Sequence, residues 1–232
     1  MIPVGNDNAR TGSGLFTALL ITVCVGVFAY EVFLPEEQAA DLVRRLGLVP
    51  ADFWRVAISH PGRWPEQGLL PLVASSFLHG SVIHLLGNIW SLWIFGRELE
   101  GRLGVIRFLL LYLLSGMLAG LLHAAINPAS TLPTIGASGA IAGVMGAYFM
   151  LYPFNWITFL VPVFIIPLVI KLPAAIYLLV WMASQLAGGY QTLANGAPAA
   201  GGIAFWAHVG GFVAGIWLVR RWNIRRRPRY RR

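Results

Sequence analysis

The stretch 134–147 reads TIGASGAIAGVMGA and combines a helical spacing of small residues with one hydroxyl side chain. Small residues recur four positions apart, at Gly139, Gly143 and Ala147 and again at Ala142 and Gly146. In apolar segments this spacing lets two helices approach until their backbones touch. Ser138 stands near the head of the stretch, so the sequence predicts a closely packed helix that carries a serine.

The composition places the chain among membrane proteins. Of its 232 residues, 57% are hydrophobic and only 11% are charged, and the mean hydropathy is +0.70. A soluble domain carries about 25% charged residues, so the composition excludes a soluble globular enzyme. Several apolar segments reach the roughly 20 residues that a helix needs to cross a bilayer. We predict one integral-membrane domain.

Six apolar segments predict an all-α polytopic membrane protein, a bundle of six transmembrane helices. The predicted spans are 15–34, 77–96, 105–126, 136–152, 173–187 and 203–219. The apolar stretch 154–170 is a candidate seventh span, but it is short and contains Pro162 and Pro167. We predict that this stretch is interfacial or partly re-entrant.

Charge sets the predicted topology. The net charge is +8, and eight arginines fall between Arg220 and Arg232. A basic run beside a last apolar helix indicates a cytoplasmic tail in contact with anionic lipid, rather than nucleic-acid binding. Six and seven spans place equal numbers of basic residues inside. The 97–104 turn with its flanks carries three arginines, whereas the 36–70 loop is net acidic, which favours six spans with the loop outside.

This topology divides the chain into a short cytoplasmic N-terminus, a membrane domain and a basic cytoplasmic tail. The predicted ranges are 1–13, 14–220 and 221–232. Within the external loop, Trp54 and Trp64 are predicted interfacial anchors. Cys24 is the single cysteine, so the chain forms no internal disulfide.

Polar side chains within predicted spans are costly in the bilayer and therefore functional candidates, and apolar packing does not explain four of them. They are His84 and Asn88 in the second span, Ser138 in the fourth and His208 in the last. At about 1.5 Å per residue, His84, Ser138 and His208 lie about 18, 21 and 18 Å above the inner ends of their spans. The three side chains share one level, in the outer half of a core about 30 Å thick.

The last span repeats the small-residue spacing on the helix that carries His208. Its small residues are Ala207, Gly211 and Gly215. Two helices that can touch, one with a serine and one with a histidine at matched depth, supply a nucleophile and its base. His84 and Asn88 are four residues apart on one helical face, which suits the donors of an oxyanion hole. Close packing and interhelical hydrogen bonds are the alternative explanation.

Three motifs together resemble the rhomboid family of intramembrane serine proteases over about residues 14–220. They are Gly136-Ala-Ser138-Gly139, His84-x-x-x-Asn88 and Ala207-His208-Val-Gly-Gly211. The resemblance implies the family's six-helix fold and the cleavage of membrane-spanning protein substrates near the outer face. We predict a multi-pass protein of a bacterial cell (inner) membrane, with both termini cytoplasmic.

The resemblance implies a role for each motif. Ser138 would be the nucleophile and His208 its base, and His84, Asn88 and the backbone amide of Ser138 would bind the oxyanion. We predict no metal, no cofactor and no nucleic acid, with membrane-spanning substrates and the lipid bilayer as partners. The resemblance also suggests the fifth span as a gate, with the 188–202 loop as its cap.

Two departures leave open which group orients His208. No acidic residue lies in the last three spans, which indicates a Ser–His dyad. Ala142 stands where some family members carry a tyrosine that stacks on the histidine. The sequence leaves the natural substrate and the oligomeric state open.

Two other functions compete with proteolysis. One is a catalytically inactive rhomboid relative that binds membrane clients. The other is a transporter or channel with intramembrane histidines as proton relays or metal ligands. Its candidate residues are His79, His84, His123 and His208.

Overall fold

The computed structural model describes residues 2–6, 13–163, 166–195 and 203–224, and this part of the chain is mostly helical. The helices are α1 (Leu15–Phe33), α2 (Glu36–Leu46), α3 (Pro50–Ser59), α4 (Leu70–Ala74), α5 (Val82–Leu103), α6 (Val105–Ile126), α7 (Ser138–Leu151), α8 (Ala174–Asn195) and α9 (Phe205–Arg221). The strands are β1 (Ile2–Asn6), β2 (Trp156–Val163) and β3 (Ile166–Pro173).

The turn between α5 and α6 is a single residue, Gly104. The prediction of a loop over 97–104 is wrong, because α5 continues to Leu103, which is buried in the bundle. Charged residues in this segment suggested a loop, but Glu98 and Glu100 are also buried. Gly104 has a φ of 76°, which glycine adopts without strain, and the chain reverses there.

Glu100 ties the end of α5 to the start of α1. Its carboxylate accepts hydrogen bonds from the backbone N–H groups of Phe16 (3.2 Å) and Thr17 (2.8 Å). The Thr17 hydroxyl donates a third bond at 2.8 Å. The first amides of a helix lack intrahelical partners, and the helix dipole favours negative charge beside them. The buried acid therefore fixes α1 against α5.

α7 lies at the centre of the bundle. It packs against α5, α6, α8 and α9, and every residue of the range 139–148 is buried. Its 14 residues correspond to about 21 Å at about 1.5 Å per residue. The helix is shorter than a hydrocarbon core of about 30 Å and is surrounded by protein.

Two described helices, α1 and α6, are each long and apolar enough to cross a bilayer. The segment Pro65–Phe77 and α5 reach the same measure together, with a bend of 83° at the break between them. α7 and α9 are shorter, with 14 and 17 residues. The six-span count and the topology therefore stay predictions.

The prediction of an all-α protein is wrong for the described strands, which form an antiparallel sheet in the order β1–β2–β3. Strands β2 and β3 include most of the stretch 154–170, and Pro162 pairs with Pro167. Proline removes a backbone donor and breaks helices, whereas the aromatic and β-branched residues of β2 favour strands. Ile157 and Phe159 are fully buried, which attaches β2 to the bundle.

The predicted external loop contains α2 and α3 and has a small core of its own. Leu48, Phe53 and Leu72 pack together there with Ala124 of α6. The indole N–H of Trp54 donates to the Ala124 carbonyl at 2.8 Å, and the Trp64 ring packs edge-on against Phe53. Trp54 therefore attaches the loop to α6, and Trp64 packs within the loop's own core.

The topology generates a labelling prediction. Gln38 in α2 and Arg107 in α6 are both exposed, and so are suitable for single cysteines in a Cys24→Ser background. In sealed cells a membrane-impermeant thiol reagent should label the cysteine at 38 and spare the one at 107. Permeabilisation should make the cysteine at 107 reactive, which shows that its thiol is competent. Labelling at 107 in intact cells would contradict the six-span topology.

Candidate active site

The backbones of α7 and α9 touch. A Cβ at Gly211 would collide with the carbonyl oxygen of Gly139, and a Cβ at Gly215 would collide with that of Gly143. On the other helix, a Cβ at Gly146 would collide with the carbonyl oxygen of Phe212. The predicted role of the small residues in close helix packing is confirmed.

Ser138 and His208 lie near the starts of the two contacting helices. Ser138 is the first residue of α7, and the Cβ position of the adjacent Gly139 lies 3.8 Å from the carbonyl oxygen of Ala207. His208 follows Ala207 in α9, and both Ser138 and His208 are half-buried. Among the contacts of the described residues, no hydrogen bond joins the Ser138 hydroxyl to the His208 imidazole.

His84 and Asn88 meet at the glycine that precedes the serine. Gly136 has a φ of 124°, and a Cβ built on it would lie 2.6 Å from Nε2 of His84 and 3.7 Å from Nδ2 of Asn88. Only glycine fits this backbone and this space. The Gly136 N–H donates to the carbonyl oxygen of Ser75 at 2.8 Å, which holds the segment in place.

Asn88 carries a buried donor. Asn88 is 7% exposed, and its Nδ2 has no hydrogen-bond partner among the described residues. Buried donors are nearly always paired, so an unpaired one calls for an explanation such as a ligand or water. The amide nitrogen lies beside Gly136, two residues from Ser138, where an incoming oxygen can accept its hydrogen bond.

The start of α7 supplies further donors. Ala137 caps the helix without a side-chain hydrogen bond, and the first intrahelical bond runs from the N–H of Ile141 to the carbonyl of Ala137. The amide of Ser138 therefore lies in the first turn, where N–H groups lack intrahelical acceptors. This is the predicted position of that amide.

Sequence reasoning missed Gln185 on α8. Its Oε1 lies 2.7 Å from Nδ1 of His208, and the residue is only 8% exposed. The indole ring of Trp181 lies beside the His208 ring, with centroids 5.8 Å apart. α8 therefore contacts the histidine whose neighbour the sequence left open. A single glutamine in an otherwise apolar span was the available signal.

The Rhomboid domain family matches residues 66–222, which is more than half of the chain. This chain belongs to the rhomboid family. The match includes the segments that carry the serine, histidine and asparagine motifs.

Three relatives show the extent of the similarity. RHOMBOID-like protein 6, mitochondrial, of Arabidopsis thaliana is 35% identical over 103 residues, 44% of this chain and 31% of the relative. RHOMBOID-like protein 2 of the same plant is 32% identical over 165 residues, 71% and 44% of the two chains. The putative rhomboid protease YdcA of Bacillus subtilis is 32% identical over 110 residues, 47% of each chain.

The matched segments cover less than half of the length of each of these relatives. One relative is named mitochondrial and another comes from a bacterium. The similarity is to a membrane protein family and does not select one membrane. The bacterial cell membrane stays a prediction for this rhomboid.

A further histidine, His79, lies close to the site. The centroids of the His79 and His84 rings are 5.3 Å apart, and the backbone N–H of His79 donates a hydrogen bond to the Glu31 carboxylate at 3.3 Å. In the described part of the chain, no group of three or more His, Cys, Asp or Glu residues is placed to hold a metal ion.

The predicted cap of this rhomboid is partly helical. The prediction of a loop over 188–202 is wrong for its first half, because α8 continues to Asn195. Residues 196–202 lie outside the described residues. Gly188 and Gly189 belong to the helix and pack against the rings of Phe205 and Trp206. Because the two glycines have no side chains, the aromatic rings pack directly against the α8 backbone and join α8 to the start of α9.

The close contact of α7 and α9 predicts a specific sensitivity to added methyl groups. Gly215→Ala should destabilise this rhomboid by about 1–3 kcal/mol, the usual cost of overpacking, because its Cβ meets a backbone carbonyl that cannot rotate away. Thermal unfolding in detergent measures the effect. Gly26→Ala is the matched control, since Gly26 lies in α1 with no atom within 4 Å of its Cβ position. Equal stability of the two variants would contradict the backbone contact.

Proposed function

We propose that this rhomboid is an intramembrane serine endopeptidase that cleaves membrane-spanning protein segments near the outer face through a Ser138–His208 dyad. The observation that carries the proposal is the α7–α9 backbone contact, which brings Gly139, the neighbour of Ser138, close to Ala207, the neighbour of His208. The side chains of His84 and Asn88 lie next to Gly136, two residues before Ser138. The proposal takes these residues as a nucleophile, its base and two oxyanion donors.

The proposed reaction has two stages. The Ser138 hydroxyl attacks the scissile carbonyl carbon while Nε2 of His208 takes its proton. The tetrahedral intermediate collapses when the protonated His208 gives that proton to the leaving amine, and an acyl ester on Ser138 remains. Water then attacks the ester with His208 again as base, which releases the acid and restores the serine.

The oxyanion of each tetrahedral intermediate needs preset donors. The proposed donors are the Asn88 amide, the His84 ring and the backbone N–H of Ser138. The Asn88 amide is unpaired among the described residues and lies in the protein interior, where a hydrogen bond to developing charge is stronger than in water. This arrangement supports the oxyanion role.

The wider features of the proposal follow the family. We infer six spans within residues 14–220, cytoplasmic ends that include the basic tail 221–232, and contact of that tail with anionic lipid. Substrates would be single helices with small residues near the cut, because a regular helix hides its carbonyl groups. Access would pass α8, which packs against α9 beside His208.

A rhomboid that binds membrane clients without cleaving them is the second candidate. The absence of a Ser138–His208 hydrogen bond among the described contacts favours it. Catalytic hydrogen bonds are often long in a free enzyme and tighten when substrate binds, so the presence of both residues favours the protease.

The decisive test compares Ser138→Ala and His208→Ala with wild type on a single-span substrate in liposomes. Each variant should lower cleavage by at least roughly a thousandfold, because a nucleophile and its base act as one unit. A fluorophosphonate should label Ser138 in wild type and fail to label the His208 variant.

Two variants control for general damage to the fold. Ser115→Ala removes a buried serine hydroxyl that has no partner among the described residues, and His60→Ala removes an exposed histidine. Both should cleave like wild type. Cleavage by Ser138→Ala at the wild-type rate would refute the dyad, and a wild type that binds the substrate without cutting it would favour the client-binding candidate.

The oxyanion assignment generates a separate prediction. Asn88→Ala should lower kcat by roughly tenfold to a thousandfold with little change in KM, because the lost bond forms only as charge develops. Asn155→Ala is the matched control, since its amide meets the Tyr148 hydroxyl near the other end of α7. A loss of thermal stability with unchanged kcat would make Asn88 a structural residue.

A further inference from the structure

The His208 imidazole can act as a base only in one of its two neutral forms. If Nδ1 carries the proton, Nε2 has a lone pair for the Ser138 hydroxyl, whereas the other tautomer offers that hydroxyl a donor. In Ser-His-Asp enzymes a carboxylate holds the correct tautomer. In the described part of this rhomboid, no carboxylate hydrogen-bonds to His208, so another group has to select the tautomer.

The side chain that contacts Nδ1 is Gln185, at 2.7 Å. A glutamine amide can present either its oxygen or its NH₂ group, and the two are distinguished by the surrounding hydrogen bonds. The selection of the His208 tautomer therefore depends on what holds the other end of the Gln185 amide.

That other end faces acceptors on the preceding turn of α8. Nε2 of Gln185 lies 3.0 Å from the Ser184 hydroxyl oxygen and 3.4 Å from the Trp181 carbonyl oxygen. The Ser184 hydroxyl donates its own hydrogen to the Trp181 carbonyl at 2.6 Å, so its oxygen is left to accept. A carbonyl oxygen can only accept. Both neighbours therefore require the NH₂ group, and Oε1 must face His208.

We propose that Gln185 is the positioning residue that holds His208 in its Nδ1-protonated tautomer and thereby directs the Nε2 lone pair toward Ser138. The chain of bonds starts at the Trp181 carbonyl, passes through Ser184 and Gln185, and ends at Nδ1 of His208. The Trp181 ring beside the imidazole restricts its rotation. The proposal rests on the proposed protease function and adds a third polar residue to its dyad.

The positioning group belongs to a different helix from the base. Gln185 lies in α8 and His208 in α9, so the tautomer is held only while these helices stay in contact. A movement of α8 that lengthens the 2.7 Å contact beyond about 3.2 Å removes the bond. The competence of the base is thus coupled to the position of α8.

Three variants of the full-length protein test the proposal in liposomes. Gln185→Met keeps the length of the side chain and removes the acceptor, and Gln185→Glu keeps an acceptor. Gln191→Met makes the same change at an exposed position of α8. We expect Gln185→Met to lower kcat by about tenfold to a hundredfold with KM unchanged, the range for groups that orient a functional imidazole. Gln185→Glu should recover most of this loss, and Gln191→Met should match wild type.

The tautomer is measured independently of activity by ¹⁵N NMR of histidine-labelled protein, with His208→Ala to assign the signal. Wild type should carry the proton on Nδ1, and Gln185→Met should show a mixture. A wild-type kcat in folded Gln185→Met, or a wild-type proton on Nε2, would overturn the proposal. If Gln185→Met fails to fold, the wild-type tautomer and the Gln185→Glu variant decide.

The two proposals fail in different ways. If Ser138→Ala cleaves as well as wild type, or wild type does not cleave, the protease function fails, and the NMR comparison still decides the role of Gln185. If Ser138→Ala is inactive and Gln185→Met is fully active, only the positioning role fails.

Discussion

The architecture depends on one steric constraint: α7 and α9 approach so closely that no side chain fits between them. Carbonyl oxygens of Gly139 and Gly143 occupy the space that Cβ atoms of Gly211 and Gly215 would need. Such a contact allows almost no sliding or rotation, because interiors are close-packed and the opposing atoms belong to rigid backbone. Residues at the helix ends therefore have fixed relative positions, and Ser138 and His208 are two of them.

The same constraint extends to the surrounding helices. A Cβ at Gly143 would collide with the Ser115 side chain of α6, and one at Gly139 would lie 2.8 Å from the Ala119 Cβ. α7 is thus enclosed on several sides by neighbours that leave no free volume. The position of this helix of 14 residues is therefore constrained by the protein packed around it. Rigid support of this kind is what preorganised catalytic groups require.

Sequence reasoning succeeded where the signal was local and steric. The spacing of Gly139 and Gly143 predicted the backbone contact because four-residue repeats fall on one helix face whatever surrounds them. Sequence reasoning failed where a side chain contacts residues that are distant in the chain. Glu100 suggested a loop, and only its bonds to the start of α1 explain its burial. Gln185 belongs to no sequence motif, and its contact with His208 follows from the packing of α8 on α9. Strands β2 and β3 were not predicted because apolar strands and apolar transmembrane segments have similar sequences.

The unpaired Asn88 amide has a thermodynamic consequence. A buried donor that gains an acceptor is relieved of a desolvation cost of roughly 1–3 kcal/mol. Any molecule that brings an oxygen to this nitrogen relieves the cost and adds its binding free energy to the folded state. Melting temperature therefore becomes a reporter of occupancy at the site, and it can rank compounds that bind to this rhomboid.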